Sequence, residues 1–134
     1  MTHLYRVIVP VSDIEAAAVF YGTILNQPGK RVSPGRHYFE CGGTILACFD
    51  PKADGEQGTS PPNPQHIYLS ESDLEAVYGR CQSAEANFDD QSLQGGGANL
   101  GEIATRPWGE RSFYLHDPFG NPVCFVDDKT VFTG

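Results

Sequence analysis

The feature that most constrains the fold is a short motif that occurs twice, sixty residues apart. The chain reads Ser12-Asp13-Ile14-Glu15-Ala16 in its first half and Ser72-Asp73-Leu74-Glu75-Ala76 in its second. A serine with a glutamate three residues later, ahead of an apolar stretch, is typical of a capping box at a helix N-terminus. The repeated motif therefore predicts two helices, capped by Ser12 and Ser72.

Both predicted helices have an apolar face at helical spacing. The first helix should end near Asn26, because Pro28-Gly29 follows. Its core-facing residues should be Ile14, Ala17, Ala18, Tyr21, Ile24 and Leu25. In the second helix the corresponding residues are Leu74, Val77, Tyr78 and Cys81.

Strands flank the two helices in the same order. In the first half the alternation of apolar and polar residues predicts Leu4–Val11, a short segment around Lys30–Ser33, Arg36–Cys41 and Thr44–Phe49. In the second half it predicts His66–Ser70, Asn87–Asp89, Glu102–Arg106, Ser112–His116 and Pro122–Val126. The matching order predicts a tandem β-α-β-β-β duplication in the α+β class.

We expect a single domain over residues 1–134, built from module 1 (1–50), a linker (51–65) and module 2 (66–128). The linker is rich in proline, glycine and charge and has no apolar period, which is typical of a surface connection. A second long loop, through Gly95-Gly96-Gly97, is expected inside module 2.

Composition and charge exclude several classes of partner. The chain has 17 acidic and 9 basic residues, a net charge of −8, and no basic stripe, so we expect no nucleic acid. No apolar run approaches the ~20 residues that span a bilayer, and the first residues lack the pattern of a signal peptide. We therefore expect a cytoplasmic protein without a membrane partner, whose acidic surface can attract a cationic ligand.

The four cysteines, at positions 41, 48, 81 and 124, contain no C-x-x-C pair. If Gly42-Gly43 forms a two-residue hairpin turn, Cys41 lies opposite Thr44 and Cys48 lies opposite His37. The two thiols would then be roughly 13 Å apart, which is too far for a disulfide. We expect reduced, buried thiols.

The C-terminal part of the chain contains the most specific sequence motif. Asp117-Pro118-Phe119-Gly120-Asn121 predicts a turn between the last two strands. With the preceding residues it forms the string G-E-I-x-x-x-P-W-G-x-R-x-F-x-L-x-D-P-x-G-N, from Gly101 to Asn121. This string resembles the vicinal-oxygen-chelate superfamily of glyoxalase I, extradiol dioxygenases, fosfomycin-resistance enzymes and bleomycin-resistance proteins, and is closest to the bleomycin-resistance type.

The resemblance implies two modules that form a curved mixed sheet with a concave groove and helices outside, in a homodimer. It also implies a divalent metal held by histidines and glutamates in that groove. In this chain the four matching positions are mostly not metal ligands. The first strand has Arg6, and Thr44–Phe49 contains no His, Asp or Glu. The second module has His66 at its start and Cys124 in its last strand. A guanidinium does not coordinate metal ions, so we expect no metal and no other cofactor.

The resemblance and strand parity together predict a ligand-binding groove without a metal. Its expected residues are Arg6, Tyr38, Glu40, His66, Tyr68, Trp108, Tyr114 and Cys124. Trp108 matches the tryptophan of the P-W-G motif, which stacks on the drug in bleomycin-resistance proteins. The family's second stacking aromatic falls near Gly35-Arg36, so bleomycin itself is not assigned. The leading hypothesis is a homodimeric small-molecule-binding protein that sequesters an aromatic or cationic ligand.

Two alternatives remain open. One is a divergent glyoxalase- or dioxygenase-like enzyme that uses His66 with a rearranged or absent metal site, or as a proton carrier beside a carboxylate held by Arg6. A divalent metal belongs to this alternative. The other is a structural or regulatory module without a ligand, in which the tyrosines pack the sheet and Arg6 pairs with Glu40.

Overall fold

The structure, a computed structural model, describes residues 1–91 and 98–134. These form two compact units, unit 1 at Met1–Asn63 and unit 2 at Pro64–Gly134, so the division falls inside the expected linker. The loop through Gly95-Gly96-Gly97 lies outside the described residues. That residues 1–134 form one domain stays a prediction.

Unit 1 is a four-stranded mixed sheet with one helix. Its elements are β1 (Arg6–Pro10), α1 (Ile14–Leu25), β2 (Lys30–Ser33), β3 (Arg36–Cys41) and β4 (Thr44–Phe49). The strand order is β1-β4-β3-β2, with β1 parallel to β4 and the other pairs antiparallel. The last three strands match the predicted bounds, and β1 is shorter than predicted at both ends.

Unit 2 repeats this topology. Its elements are β5 (Ile67–Glu71), α2 (Leu74–Ser83), β6 (Asn87–Phe88), β7 (Ala104–Thr105), β8 (Arg111–His116), β9 (Pro122–Asp127) and a 3-10 turn (Asp128–Thr130). The strand order is β5-β9-β8-β6, with β7 also paired to β8, and β5 runs parallel to β9. The predicted α+β class and the duplicated order of elements are confirmed.

The capping residues predicted for both helices are wrong by one position. Asp13 and Asp73 are the N-caps, and their carboxylates accept the backbone N–H groups of Ala16 and Ala76, each at 3.1 Å. An aspartate caps as well as a serine, and its negative charge also interacts favourably with the positive end of the helix dipole. Where Ser and Asp are adjacent, the N-cap is therefore the aspartate directly before the helix.

The glutamates of the repeated motif consequently stand one position too early to complete a capping box. Each instead pairs with an arginine of its own sheet: Glu15 with Arg31, at 2.8 Å, and Glu75 with Arg111. Both ion pairs join the helix of a unit to its sheet, but on different strands: Arg31 lies on the edge strand β2, whereas Arg111 lies on the inner strand β8.

The core of unit 1 lies between α1 and one face of the sheet. Val9, Phe39 and Leu46 face the helix, whose buried residues are Ile14, Ala17, Phe20, Tyr21 and Ile24. Phe20 was not predicted, because it sits at the edge of the apolar stripe, while Ala18 and Leu25 are only half-buried. The helix ends as predicted at Asn26, which adopts a left-handed conformation with φ of 54°.

Two turns fix the register of the long hairpins. Gly42 and Gly43 both have positive φ, as a two-residue hairpin turn requires, and Cys41 pairs with Thr44 and Cys48 with His37 as predicted. None of the four cysteines forms a disulfide.

In unit 2 the Asp117 carboxylate accepts the backbone N–H groups of Phe119 and Asn121 and the Asn121 side-chain amide, each at 2.8 Å. These bonds hold the predicted turn between β8 and β9.

The expected linker is attached to unit 1 along part of its length. Asp54 accepts hydrogen bonds from Ser33 Oγ at 2.8 Å and from the Gly35 N–H at 2.6 Å. Asn63 donates its side-chain amide to the Ile8 carbonyl at 3.0 Å. Among the described residues, no helix is long and apolar enough to cross a membrane.

Candidate ligand-binding site

Three of the predicted site residues form a row across the sheet of unit 2. Cys124 on β9 pairs with Tyr68 on β5 at one side and with Tyr114 on β8 at the other. Residues paired in this way point to the same face of a sheet. The sequence left the facing of the last hairpin undecided because both of its faces are apolar, and strand pairing settles it.

His66 precedes β5 and shares this face. Its ring lies 5.0 Å from the ring of Tyr114, edge to face, and 6.2 Å from that of Tyr68. Tyr68 and Tyr114 also meet edge to face, at 6.2 Å. The Tyr114 side chain is buried, whereas Tyr68 is 57% exposed and presents its ring for contact with another molecule.

A cleft of about 660 Å³ opens beside His66. Its wall comes from β6 and the residues after it, from the last residue of β8 and from the turn that follows β8, and includes Asp89, Asp90, Leu100, His116 and Pro118. Carboxylates and imidazoles thus line an open concave surface together with a few apolar groups, so the cleft is more polar than most small-molecule sites. We refer to this surface as the His66 cleft.

Asp89 lies between the two histidines of the cleft. Its Oδ1 is 2.7 Å from Nδ1 of His116, a hydrogen bond, and its Oδ2 is 3.7 Å from Nε2 of His66. The carboxylate is largely buried, whereas the His116 side chain is 42% exposed. A carboxylate that binds one ring nitrogen fixes the orientation of the imidazole and leaves the other nitrogen for a ligand or a proton.

The Nε2 atom of His66 is buried and has no hydrogen-bond partner within the described residues. A buried polar atom without a partner costs about 1–3 kcal/mol, so such atoms are uncommon and call for an explanation. The distance of 3.7 Å to Asp89 is too long for a hydrogen bond. Because the atom is buried, a ligand group gains this hydrogen bond only where the His66 ring turns Nε2 toward the cleft.

Cys124 and Tyr114 are neutral at physiological pH. Burial raises the pKa of the Cys124 thiol to about 12, against smaller opposing effects of hydrogen bonds with Tyr114 and Ser112. Burial also raises the pKa of the Tyr114 hydroxyl, followed by its interactions with Cys124 and Tyr68. Neither group is an anionic nucleophile or a ready anionic metal ligand, and their contribution to the site is shape and hydrogen bonding.

Trp108 lies in the loop between β7 and β8 and is 54% exposed. Its Nε1 donates a hydrogen bond to Glu110 at 2.9 Å, and Gly109, with φ of 97°, closes the turn behind it. Trp108 is not among the residues that line the His66 cleft. Its stacking role stays a prediction.

The remaining predicted residues, Arg6, Tyr38 and Glu40, share one face of the unit 1 sheet. Arg6 donates from Nη1 to the Tyr38 hydroxyl at 3.0 Å. Glu40 accepts instead from the Gly43 N–H in its own hairpin turn. The ion pair between Arg6 and Glu40 that the purely structural alternative expects does not form between these two described residues.

Sequence reasoning missed Asp89 and His116 as members of the site. Both lay in predicted strands, but their proximity depends on the antiparallel pairing of Asn87 with His116 across β6 and β8. These strands are far apart in the sequence, with residues 89–110 between them, so nothing local specifies the pairing. A histidine immediately before the Asp117 turn was the one available signal.

Arg106, which immediately precedes the P-W-G motif, was also missed. It is 3% exposed, and its guanidinium donates to the carbonyls of Leu100, Glu102 and Ser112 at 2.7 to 2.9 Å. Its Nε donates to the Ser112 hydroxyl at 3.2 Å. The side chain thus fastens the loop that contains Leu100, a residue of the cleft, onto β8.

The donor set does not fit the divalent metal that the resemblance implies. Unit 1 contributes the fixed cation of Arg6, and β4 offers no imidazole or carboxylate. Unit 2 contributes His66, but the neutral, buried thiol of Cys124 stands at the position of the glutamate. Across residues 1–91 and 98–134, no group of three His, Cys, Asp or Glu side chains is arranged to hold a metal ion.

Comparisons with known proteins agree on the fold. The family model for the Glyoxalase/Bleomycin resistance protein/Dioxygenase superfamily matches residues 3–125. A glyoxalase-related enzyme from Fulvimarina pelagi is similar at 18% identity and a TM-score of 0.70, over 94% of this chain and 88% of the other. In the comparison with curated proteins, no sequence matches significantly.

Two further solved structures carry names of enzymes. A lactoylglutathione lyase from Agrobacterium tumefaciens has 20% identity and a TM-score of 0.65, over 94% of this chain and 93% of the other. The oxidase ChaP-H2 has 24% identity and a TM-score of 0.69, with the same coverage. At these identities the likeness shows the fold alone.

Proposed function

Because the chain belongs to the glyoxalase/bleomycin resistance protein/dioxygenase superfamily, we propose that it is a metal-independent small-molecule-binding protein that sequesters an aromatic or cationic ligand at the His66 cleft. The observation that carries the proposal is the buried Nε2 of His66, which has no hydrogen-bond partner in the described part of the chain. A ligand group bonded there would remove the cost of leaving this atom unpaired.

The charge of unit 2 supports a cationic ligand. This unit contains eleven of the 17 acidic residues and four of the nine basic ones. Asp89 and Asp90 both line the cleft, and Asp90 is exposed. A positive charge on the ligand would therefore be attracted to the unit and held near the cleft.

Aromatic contact is the second part of the proposal. The ring of Tyr68 is exposed next to His66, and Trp108 is exposed in the same unit. Flat heterocycles bind to such rings through stacking and edge-to-face contacts. Sequestration of a cationic aromatic antibiotic by a cytoplasmic homodimer would be the biological form of this activity, as the resemblance implies.

The test measures binding of bleomycin and of N-methylquinolinium, a flat cation, by calorimetry in the presence of a chelator. We expect saturable binding of at least one probe that the chelator leaves unchanged. His66→Ala should lower the affinity about tenfold, the value of one good hydrogen bond. His3→Ala removes the same side chain in unit 1 and should change nothing. Strict metal dependence, or equal effects of the two variants, would contradict the proposal.

One observation favours an enzyme as second candidate. The hydrogen bond between Asp89 and His116 orients an exposed imidazole in the cleft, an arrangement that serves general acid–base catalysis. In this second candidate function, His66 or His116 transfers a proton to or from a bound substrate. The protein would then be a divergent lyase or dioxygenase-like enzyme that lacks the usual metal ligands. Asp89 acts only as the residue that positions His116.

The two candidates separate in a turnover assay with methylglyoxal and glutathione, in which the formation of S-lactoylglutathione is followed. Turnover that His66→Ala or His116→Gln abolishes, at unchanged affinity, would favour the enzyme. Binding without turnover would favour sequestration. Sedimentation at micromolar concentration tests the homodimer independently of either.

A further inference from the structure

The exposed face of the unit 1 sheet gathers two arginines around one tyrosine hydroxyl. Arg6 Nη1 donates to Tyr38 Oη at 3.0 Å, and Arg36 Nη1 approaches the same oxygen at 3.4 Å. The pairing of β4 explains the arrangement, because Ile45 is aligned with Arg6, and Ala47 with Tyr38. Alternate residues of β1 and β3 therefore converge on the same surface.

The shared oxygen has a chemical consequence. Tyr38 Oη accepts from both guanidinium groups, so its own hydroxyl hydrogen is directed elsewhere as a donor. Two cationic donor groups and one neutral donor are thus assembled within a few ångströms. Such a set matches the oxygen atoms of a carboxylate or a phosphate.

Arg6 has no carboxylate partner among the described residues of unit 1. Glu40, on the same face, is engaged by the Gly43 N–H. The guanidinium of Arg6 instead lies over the rings of Tyr5, at 5.3 Å, and Tyr38, at 5.8 Å. These contacts hold the cation in place without neutralising its charge.

Arg36 is held more firmly than an ordinary surface arginine. Its guanidinium stacks on Phe49 at 4.2 Å, and its Nε pairs with Asp54 at 3.5 Å. These contacts use one edge and one face of the group and leave Nη1 directed at Tyr38. The site is thus largely formed before a ligand arrives, which lowers the cost of binding.

The charge balance of unit 1 permits an anionic ligand in an acidic protein. Unit 1 holds six of the 17 acidic residues and five of the nine basic ones, so it is close to neutral.

We propose that Arg6, Tyr38 and Arg36 form a binding site for an oxyanion, the carboxylate or phosphate group of a small molecule. This inference goes beyond the ligand proposed for the His66 cleft. It rests on residues of unit 1 alone, so either proposal can fail without the other.

The experiment records the side-chain N–H signals of ¹⁵N-labelled arginines during titration with benzoate and, separately, with inorganic phosphate at constant ionic strength. We expect saturable shifts of the Arg6 and Arg36 signals with at least one of them. Saturation by benzoate alone identifies a carboxylate site, and saturation by phosphate alone identifies a phosphate site. Shifts that grow linearly without saturation for both anions would overturn the proposal.

Three variants sharpen the test. Arg6→Gln should weaken anion binding about tenfold, because it removes one charged hydrogen bond. Tyr38→Phe removes only the hydroxyl and should weaken binding while the fold is retained. Arg80→Gln makes the same charge change on α2, in unit 2, and should have no effect. If Arg6→Gln and Arg80→Gln weaken binding equally, the effect is general electrostatics and the site is disproved.

Discussion

Nδ1 of His116 lies 2.7 Å from Oδ1 of Asp89, and the other oxygen of the same carboxylate lies 3.7 Å from Nε2 of His66. One largely buried acid therefore connects the exposed histidine of the cleft to the unpaired one. Any ligand that binds to either imidazole therefore also interacts electrostatically with the Asp89 carboxylate.

The first prediction concerns this carboxylate. Asp89→Asn retains the shape and removes the charge, so it should weaken binding of N-methylquinolinium about tenfold in calorimetry. Asp90→Asn removes the same charge from an exposed residue of the cleft and should have a smaller effect. Equal losses in the two variants would show that proximity to the histidines is unimportant.

The second prediction concerns Arg106, whose guanidinium fastens the Leu100 loop to β8. Arg106→Met should lower the free energy of unfolding by about 3 kcal/mol, because several buried carbonyls lose a charged donor. Arg106→Lys should recover part of this loss, since it keeps the charge but not the planar fork. The measurement is urea denaturation. Arg80→Met removes the partly exposed pair with Glu71 at the end of α2 and should cost less than about 1 kcal/mol.

The third prediction concerns the thiols. Cys48, Cys81 and Cys124 are fully buried, and burial raises the pKa of both Cys81 and Cys124 to about 12. A disulfide reagent at pH 8 should therefore modify Cys41 first, since this residue is half-buried, and all four thiols after denaturation. Cys41→Ser should abolish the fast phase. A fast reaction of Cys124 would contradict the buried position of the Tyr68–Cys124–Tyr114 row.

The fourth prediction concerns acid stability. The Asp127 carboxylate accepts the Lys129 N–H and pairs with Arg111, and these contacts hold its pKa below the usual 3.8. A group with a depressed pKa stabilises the fold above its unfolded pKa and loses that effect as the pH falls through the folded value. Stability should therefore fall below about pH 4, and Asp127→Asn should flatten this part of the profile. A profile unchanged by Asp127→Asn would show that other acids control it.

The fifth prediction concerns the end of α1, where Asn26 has φ of 54°. Asn26→Gly should leave stability unchanged or raise it slightly, because glycine adopts this conformation without strain. Asn26→Ala should cost about 1 kcal/mol, because alanine keeps the β-carbon but lacks the short polar side chain that lets asparagine adopt the left-handed region. Urea denaturation of the pair checks this. Equal stability of both variants would mean that the helix end relaxes.

Much of the fold was readable from the sequence, because local signals were strong. The Gly42-Gly43 and Asp117–Asn121 turns fixed the hairpins, and the repeated helix openings showed the duplication. The one-residue error at both caps arose because Ser12 and Asp13, like Ser72 and Asp73, are equally competent caps. Only the backbone path decides between such neighbours.

The sequence by itself determined the class and the element order, and it predicted His66 and the tyrosines beside it as site residues, which stay predictions. Tertiary structure alone brought Asp89 and His116 together, through the pairing of strands far apart in the sequence, and turned Tyr114 and Cys124 to the same face as Tyr68. The tertiary structure also pairs the Glu40 carboxylate with the Gly43 N–H and not with Arg6, and it places Arg36 beside the Tyr38 hydroxyl. The physical reason is that periodicity and turn chemistry act over a few residues, whereas strand pairing and competition for hydrogen-bond donors depend on segments far apart in the chain.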